Sequence, residues 1–211
     1  MGRLDELVAT TWYHLGEEDP NSALRTANQA LVLEGNNPKA LECMGEVQSE
    51  LGNTEDAIHY FERALGFTQK TALKQRLARA YMNHEKYGTA LRLYEKLVRS
   101  NPQDIRSWYG IGAVHKELKN WDKTINAYRK VINIGIKTKI REGWLKGMPS
   151  TRGVDLAARF SEYRFTDAAY RGLISSLVEK ERYVDMFKNI FAWKAFQARF
   201  LVYQFLSKLK P

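Results

Sequence analysis

Small and aromatic residues recur at helical spacing along most of the chain, set among polar positions. Ala57 and Phe61 are four apart, and so are Ala90 and Tyr94, so each pair shares one helical face. The run Ala23–Leu31 has the same character. Pro38 and Pro102 mark places where a helix stops. Residues 139–166 carry Gly143, Gly147, Pro149, Ser150 and Gly153, which read as loop punctuation. Within that stretch Leu156, Phe160 and Tyr163 share a face, predicting a short helix from about Asp155 to Tyr163. Trp193, Phe196, Phe200 and Tyr203 follow at steps of three and four, an amphipathic stripe that leads into a last helix over about 197–209.

The pattern repeats. The segment Gly52-Asn53-Thr54-Glu55-Asp56-Ala57-Ile58-His59-Tyr60-Phe61 aligns with the stretches that begin at His84 and Leu118. The small residue moves from Ala57 to Ala90 to Thr124, and the aromatic from Phe61 to Tyr94 to Tyr128, in steps of 33 and 34. One helix upstream Gly45, Ala78 and Gly112 keep those steps. Small residues on one helix let its partner approach closely, and an aromatic fills the space they leave. This periodicity resembles the tetratricopeptide repeat, a helix–turn–helix unit of 34 residues. The resemblance implies an all-α solenoid, a right-handed superhelix of stacked hairpins. Four repeats are expected over 4–138, an insert with a short helix over 139–166, and a degenerate fifth repeat with a capping helix over 167–211. In the first repeat Thr10 and Thr11 stand where a Leu–Gly pair is usual. In the fifth, Tyr170, Leu173, Tyr183 and Ile190 match Trp108, Ile111, Trp121 and Tyr128, but Ile174 and Met186 replace the small residues.

Such arrays bind peptides on the surface lined by the first helix of each pair, which implies a non-catalytic protein-interaction module, an adaptor, scaffold or chaperone-like assembly factor. Carried over by register, the groove positions are Lys39, Glu42 and Glu46; Gln75, Arg79, Met82 and Asn83; and Arg106, Tyr109 and Lys116. Glutamates dominate the second repeat's share and cations the next two, so a peptide of mixed charge is the expected partner. Chaperone-binding members of the family clamp a terminal carboxylate with Lys, Asn and Arg at set places. Here Val8 and Trp12, or Glu42 and Glu46, stand where the first Lys and Asn belong. No register supplies the set, and no heat-shock-protein tail is expected to bind in that way.

Charge shifts the picture at the C-terminal end. The chain has 33 Lys and Arg against 24 Asp and Glu; residues 139–211 hold 14 against 7, and residues 1–138 hold 19 against 17. Aromatics crowd the same end. The stripe Trp193, Phe196, Phe200 and Tyr203 is expected to close the solenoid as core, or to form a second interface that permits self-association. The alternative function is association with a membrane surface or RNA through these basic aromatic helices. No specific nucleic-acid motif accompanies it.

No enzyme is expected. The chain has no phosphate-binding Gly loop, no nucleophile elbow and no His or Cys cluster at metal spacing, so neither cofactor nor metal is implied. Cys43 stands alone, without an internal disulfide partner. With no signal-peptide pattern at Met1–Glu6 and no long apolar run, a cytoplasmic location is the default expectation.

Overall fold

The computed structural model describes the backbone of residues 2–141, 156–179 and 183–208, with side chains throughout except at 136–141, 156–163, 183, 184, 187 and 199–208. These residues form ten helices and no strand: α1 (Arg3–Gly16), α2 (Pro20–Leu33), α3 (Pro38–Glu50), α4 (Thr54–Leu65), α5 (Thr71–Asn83), α6 (Tyr87–Ser100), α7 (Ile105–Glu117), α8 (Trp121–Arg141), α9 (Leu156–Glu179) and α10 (Tyr183–Lys208). The architecture is the expected all-α, tetratricopeptide-type solenoid of helical hairpins.

Local chemistry sets the helix starts. Asp19, Asn37 and Asp104 each accept a hydrogen bond from a first-turn backbone N–H, at Ser22 (3.0 Å), Lys39 (2.9 Å) and Ser107 (3.3 Å). Pro20 and Pro38 occupy the first helical position, where no N–H is needed. The turns inside the first four hairpins are built one way. Glu18, Gly52, Glu85 and Lys119 have φ of 56°, 81°, 58° and 55°, the left-handed region. The next residue's N–H reaches back five residues: Asp19 to His14 (3.0 Å), Asn53 to Gln48 (2.9 Å), Lys86 to Tyr81 (2.8 Å) and Asn120 to His115 (2.8 Å). This is the Schellman closure. It recurs at the period of the small and aromatic residues.

The contact between the helices of a pair depends on missing side chains. A Cβ on Gly45 would lie 2.6 Å from the Phe61 ring, and one on Gly112 would lie 2.5 Å from the Tyr128 ring. Both aromatics are buried, so neither can swing away. The first pair solves the same problem with the bulk moved. Thr11 stands one repeat before Gly45, and Ala27 one repeat before Phe61. Thr11 is fully buried, its hydroxyl donating to the Leu7 carbonyl (2.8 Å) and bonded to Thr26 Oγ1 (2.9 Å).

The chain divides into two compact units, residues 1–97 and 98–211. In the first, α1, α3 and α5 lie side by side as one layer, with α2 and α4 behind them. Its core joins Leu41, Ile58, Phe61, Leu73 and Leu77 between the second and third pairs. In the second, α8 packs on α7, α9 on both, and α10 on α9. Tyr128 is held between two glycines, since a Cβ on Gly172 would lie 2.4 Å from the far side of its ring. A Cβ on Gly135 would meet the Thr166 hydroxyl at 2.3 Å.

α9 runs unbroken from Leu156 to Glu179, so residues on both sides of the expected boundary at 166 share one helix. The middle of the expected insert, Lys146 to Gly153, lies outside the described residues. In α9 a close approach is made by Gly172, to the Tyr128 ring of α8.

A non-glycine residue in the left-handed region costs roughly 1–2 kcal/mol, part of which glycine's extra freedom in the unfolded chain offsets. Glu85→Gly should therefore stabilise the protein by about 0.5–1 kcal/mol, and Gly52→Ala should destabilise it by about 1 kcal/mol. Urea unfolding of the two variants against the parent reads both signs.

Candidate protein-binding face

The hairpin stacking in the first unit turns one face of α1, α3 and α5 the same way. Trp12, Glu46 and Arg79 occupy the same repeat position in three successive hairpins, at steps of 34 and 33. Arg76 joins them from α5. Its guanidinium carbon sits 4.6 Å from the centre of the Trp12 ring, so side chains of the first and third repeats meet. Its Nε lies 3.1 Å from Glu42 Oε1 and one terminal nitrogen 2.7 Å from Glu46 Oε2. Arg79 pairs with the other oxygen of Glu46. Glu46 is buried at 7% exposure; Arg79 donates a hydrogen bond to one of its oxygens, and Arg76 offsets charge at the other without a hydrogen bond. Lys39 pairs with Asp5 at 2.6 Å nearer the start of α3. The Asp5 carboxyl is held below its usual range by a hydrogen bond from that ammonium.

The face thus brings together Glu42, Glu46 and Arg79 of the expected groove residues, as partners of one another. Gln75 and Met82 are half-buried on α5, and Asn83 is exposed at its last residue. Trp12 and Arg76 were not among the expected groove residues. The register carried a signal for Trp12, which stands one repeat before Glu46. Arg76 corresponds to buried Cys43 in the repeat before, so the groove register passes it over, although it stands at the arginine position of a carboxylate clamp in the register that starts at the first repeat.

In the second unit the expected groove residues meet a different neighbour. Tyr109 is half-buried, its ring centre 5.4 Å from Phe165 of α9 and 5.6 Å from Tyr128. The exposed Arg106 guanidinium lies over the same Phe165 ring at 5.7 Å, and Lys116 is half-buried further along α7. Of the C-terminal stripe, Trp193 donates its indole N–H to Asp167 (2.7 Å), and Phe196 lies 5.7 Å from Tyr170. Both pack on the second unit's core. The side chains of Phe200 and Tyr203 lie outside the described residues.

No reactive centre stands out among the titratable groups with resolved shifts. Burial pushes the Cys43 thiol up to about 12, which leaves it protonated and inert at neutral pH. Burial also raises Tyr128, and burial with a hydrogen bond to Glu62 pushes Tyr81 up to about 12. Among the described residues no group of His, Cys, Asp or Glu could hold a metal ion, and no helix is long and apolar enough to cross a membrane.

A family model described as tetratricopeptide repeat matches residues 76–135, and a second of the same description matches 39–71. The chain carries tetratricopeptide repeats over residues 39–71 and 76–135. Among solved structures, MamA 41-end from Desulfovibrio magneticus RS-1 is similar with a TM-score of 0.66 at 18% identity, covering 94% of this chain and 97% of its own. The MamA RS-1 ArsTM double mutant gives 0.65 at 19% identity, covering 93% and 98%. A further crystal structure of MamA gives 0.57 at 19%, covering 94% and 98%. At such identities the likeness is one of fold. A comparison with curated proteins gives no match. Tetratricopeptide repeats bind protein partners and are generally non-catalytic, so the repeats serve protein interaction.

Glu46 gives the face its own stability test. Glu46→Ala leaves Arg79 without its carboxylate and Arg76 with Glu42 alone. Both guanidiniums keep access to water, so the expected loss is about 1–2 kcal/mol, below the range for stranding a buried charge. Denaturant unfolding at neutral pH measures it.

Proposed function

We propose that this protein is an adaptor or assembly chaperone that holds a segment of a partner protein against the α1–α3–α5 face. One observation carries the reading: the cluster of Trp12, Arg76 and Arg79 locked by Glu42 and Glu46. Trp and Arg are the side chains that most often dominate binding energy at interfaces. Arginines already fixed by ion pairs lose less freedom when a partner arrives. The cluster does not make a terminal-carboxylate clamp, because Glu42 and Glu46 stand where its first Lys and Asn would be needed. Arg106 and Tyr109 offer a further contact region on the second unit, where their stack on Phe165 leaves the Arg106 side chain exposed.

A second reading has one observation in its favour. Phe191 on α10 is 75% exposed and flanked by exposed Lys188 and Lys194, an arrangement suited to an anionic membrane surface or RNA.

Affinity purification with the parent chain and with Arg79→Glu separates the two. Loss of the co-purified proteins by the variant, with its helical signal intact by circular dichroism, is the expected result. An unchanged set of partners would sink the α1–α3–α5 reading and favour α10.

A further inference from the structure

The four charges at the centre of the α1–α3–α5 face cancel in number but not in position. Side-chain exposure is 9% for Glu46 and 15% for Glu42, against 28% for Arg76 and 43% for Arg79. The carboxylates lie beneath and the guanidiniums lie above them. An arginine carries five N–H donors. Among the described residues Arg79 is bonded to Glu46 through one terminal nitrogen, so donors remain on its outward side. A neutral cluster whose negative half is buried presents a positive field to water. Glu42 and Glu46, two of the three acids in the second repeat's share, are used inside the fold, and Glu50 is exposed at the last residue of α3. At the cluster itself a basic segment would gain only by pulling an arginine off Glu46, which would uncover a buried carboxylate. An acidic segment meets no such cost. Trp12, half-buried beside Arg76, supplies apolar surface next to these donors.

We infer that the α1–α3–α5 face takes an acidic segment of a partner protein, with a Glu or Asp side chain meeting the outward edge of Arg79 and a neighbouring apolar residue lying on Trp12. This rests on the reading that the face binds a protein segment, and it replaces mixed charge with a single sign. The recognised groups are internal side chains, so a free C-terminus is not required.

The test uses the full chain and two capped peptides of equal length, one of Glu, Leu and Gly and one of Lys, Leu and Gly, with binding followed by calorimetry. The Glu peptide should bind at least about ten-fold tighter than the Lys peptide, and more weakly as salt is raised. Arg79→Gln, which keeps the stem and removes the charge, should weaken the Glu peptide several-fold, and Arg79→Glu should weaken it more. Trp12→Ala should weaken it without changing the salt dependence. Equal or tighter binding of the Lys peptide, or binding of neither, overturns the inference. If the Lys peptide binds and Trp12→Ala abolishes its binding, the acidic chemistry is wrong while the face survives as a binding site. If the Glu peptide binds equally well to the parent, Arg79→Gln and Trp12→Ala, both the inference and the face are wrong.

Discussion

A helix carrying a Cβ at residue 45 or 112 could not lie where α3 and α7 lie. The aromatic rings of Phe61 and Tyr128 already occupy that volume. This contact sets how closely the two helices of a hairpin approach, and therefore how the next hairpin stacks. Glycine in a helix interior costs about 1 kcal/mol relative to alanine. The chain accepts that cost because a buried aromatic recovers more, roughly 1.5–3 kcal/mol from its area. Tyr128 carries the arrangement further, with Gly112 on one side of its ring and Gly172 on the other.

The candidate face is a consequence of that spacing. With the first helices of three pairs in one layer, Trp12 of the first repeat reaches Arg76 of the third. Between them Glu46 is buried, and a buried carboxylate has to be matched by cations at hydrogen-bond distance. The arginines are held in place by the acid beneath them. Under the proposed function, stability and recognition use the same residues. A substitution at Arg79 alters how Glu46 is neutralised.

Much of the fold was legible because its determinants are local or periodic. Gly45, Ala78 and Gly112 announce the close approach, and Ala57, Ala90 and Thr124 mark the facing positions. Pro38, read as the place where a helix stops, marks the junction between pairs as the first residue of α3. Among the described residues, three of the first four hairpin turns lack glycine at the left-handed position, so Glu18, Glu85 and Lys119 had to be found through their backbone angles. The ends of the repeat array were harder. Gly172 meets Tyr128 across pairs, and spacing within one hairpin does not report that contact. The candidate face was legible as a set of positions but not as a charge pattern. Glu42 and Glu46 read as open acids until their ion pairs and burial are known. Tyr109 likewise reads as a groove aromatic until Phe165 of α9 is seen against it. Periodicity places a residue on a face, whereas what lies over that face depends on distant chain.

The central claim is that Gly45 is required because Phe61 fills the space its side chain would take. A double-mutant cycle tests this directly, with Gly45→Ala made in the parent and in Phe61→Val, whose side chain stops short of the ring carbons concerned. The account predicts that Gly45→Ala costs about 2 kcal/mol in the parent, as overpacking does, and nothing or a small gain in the Phe61→Val background. Equal effects of Gly45→Ala in both backgrounds would contradict it.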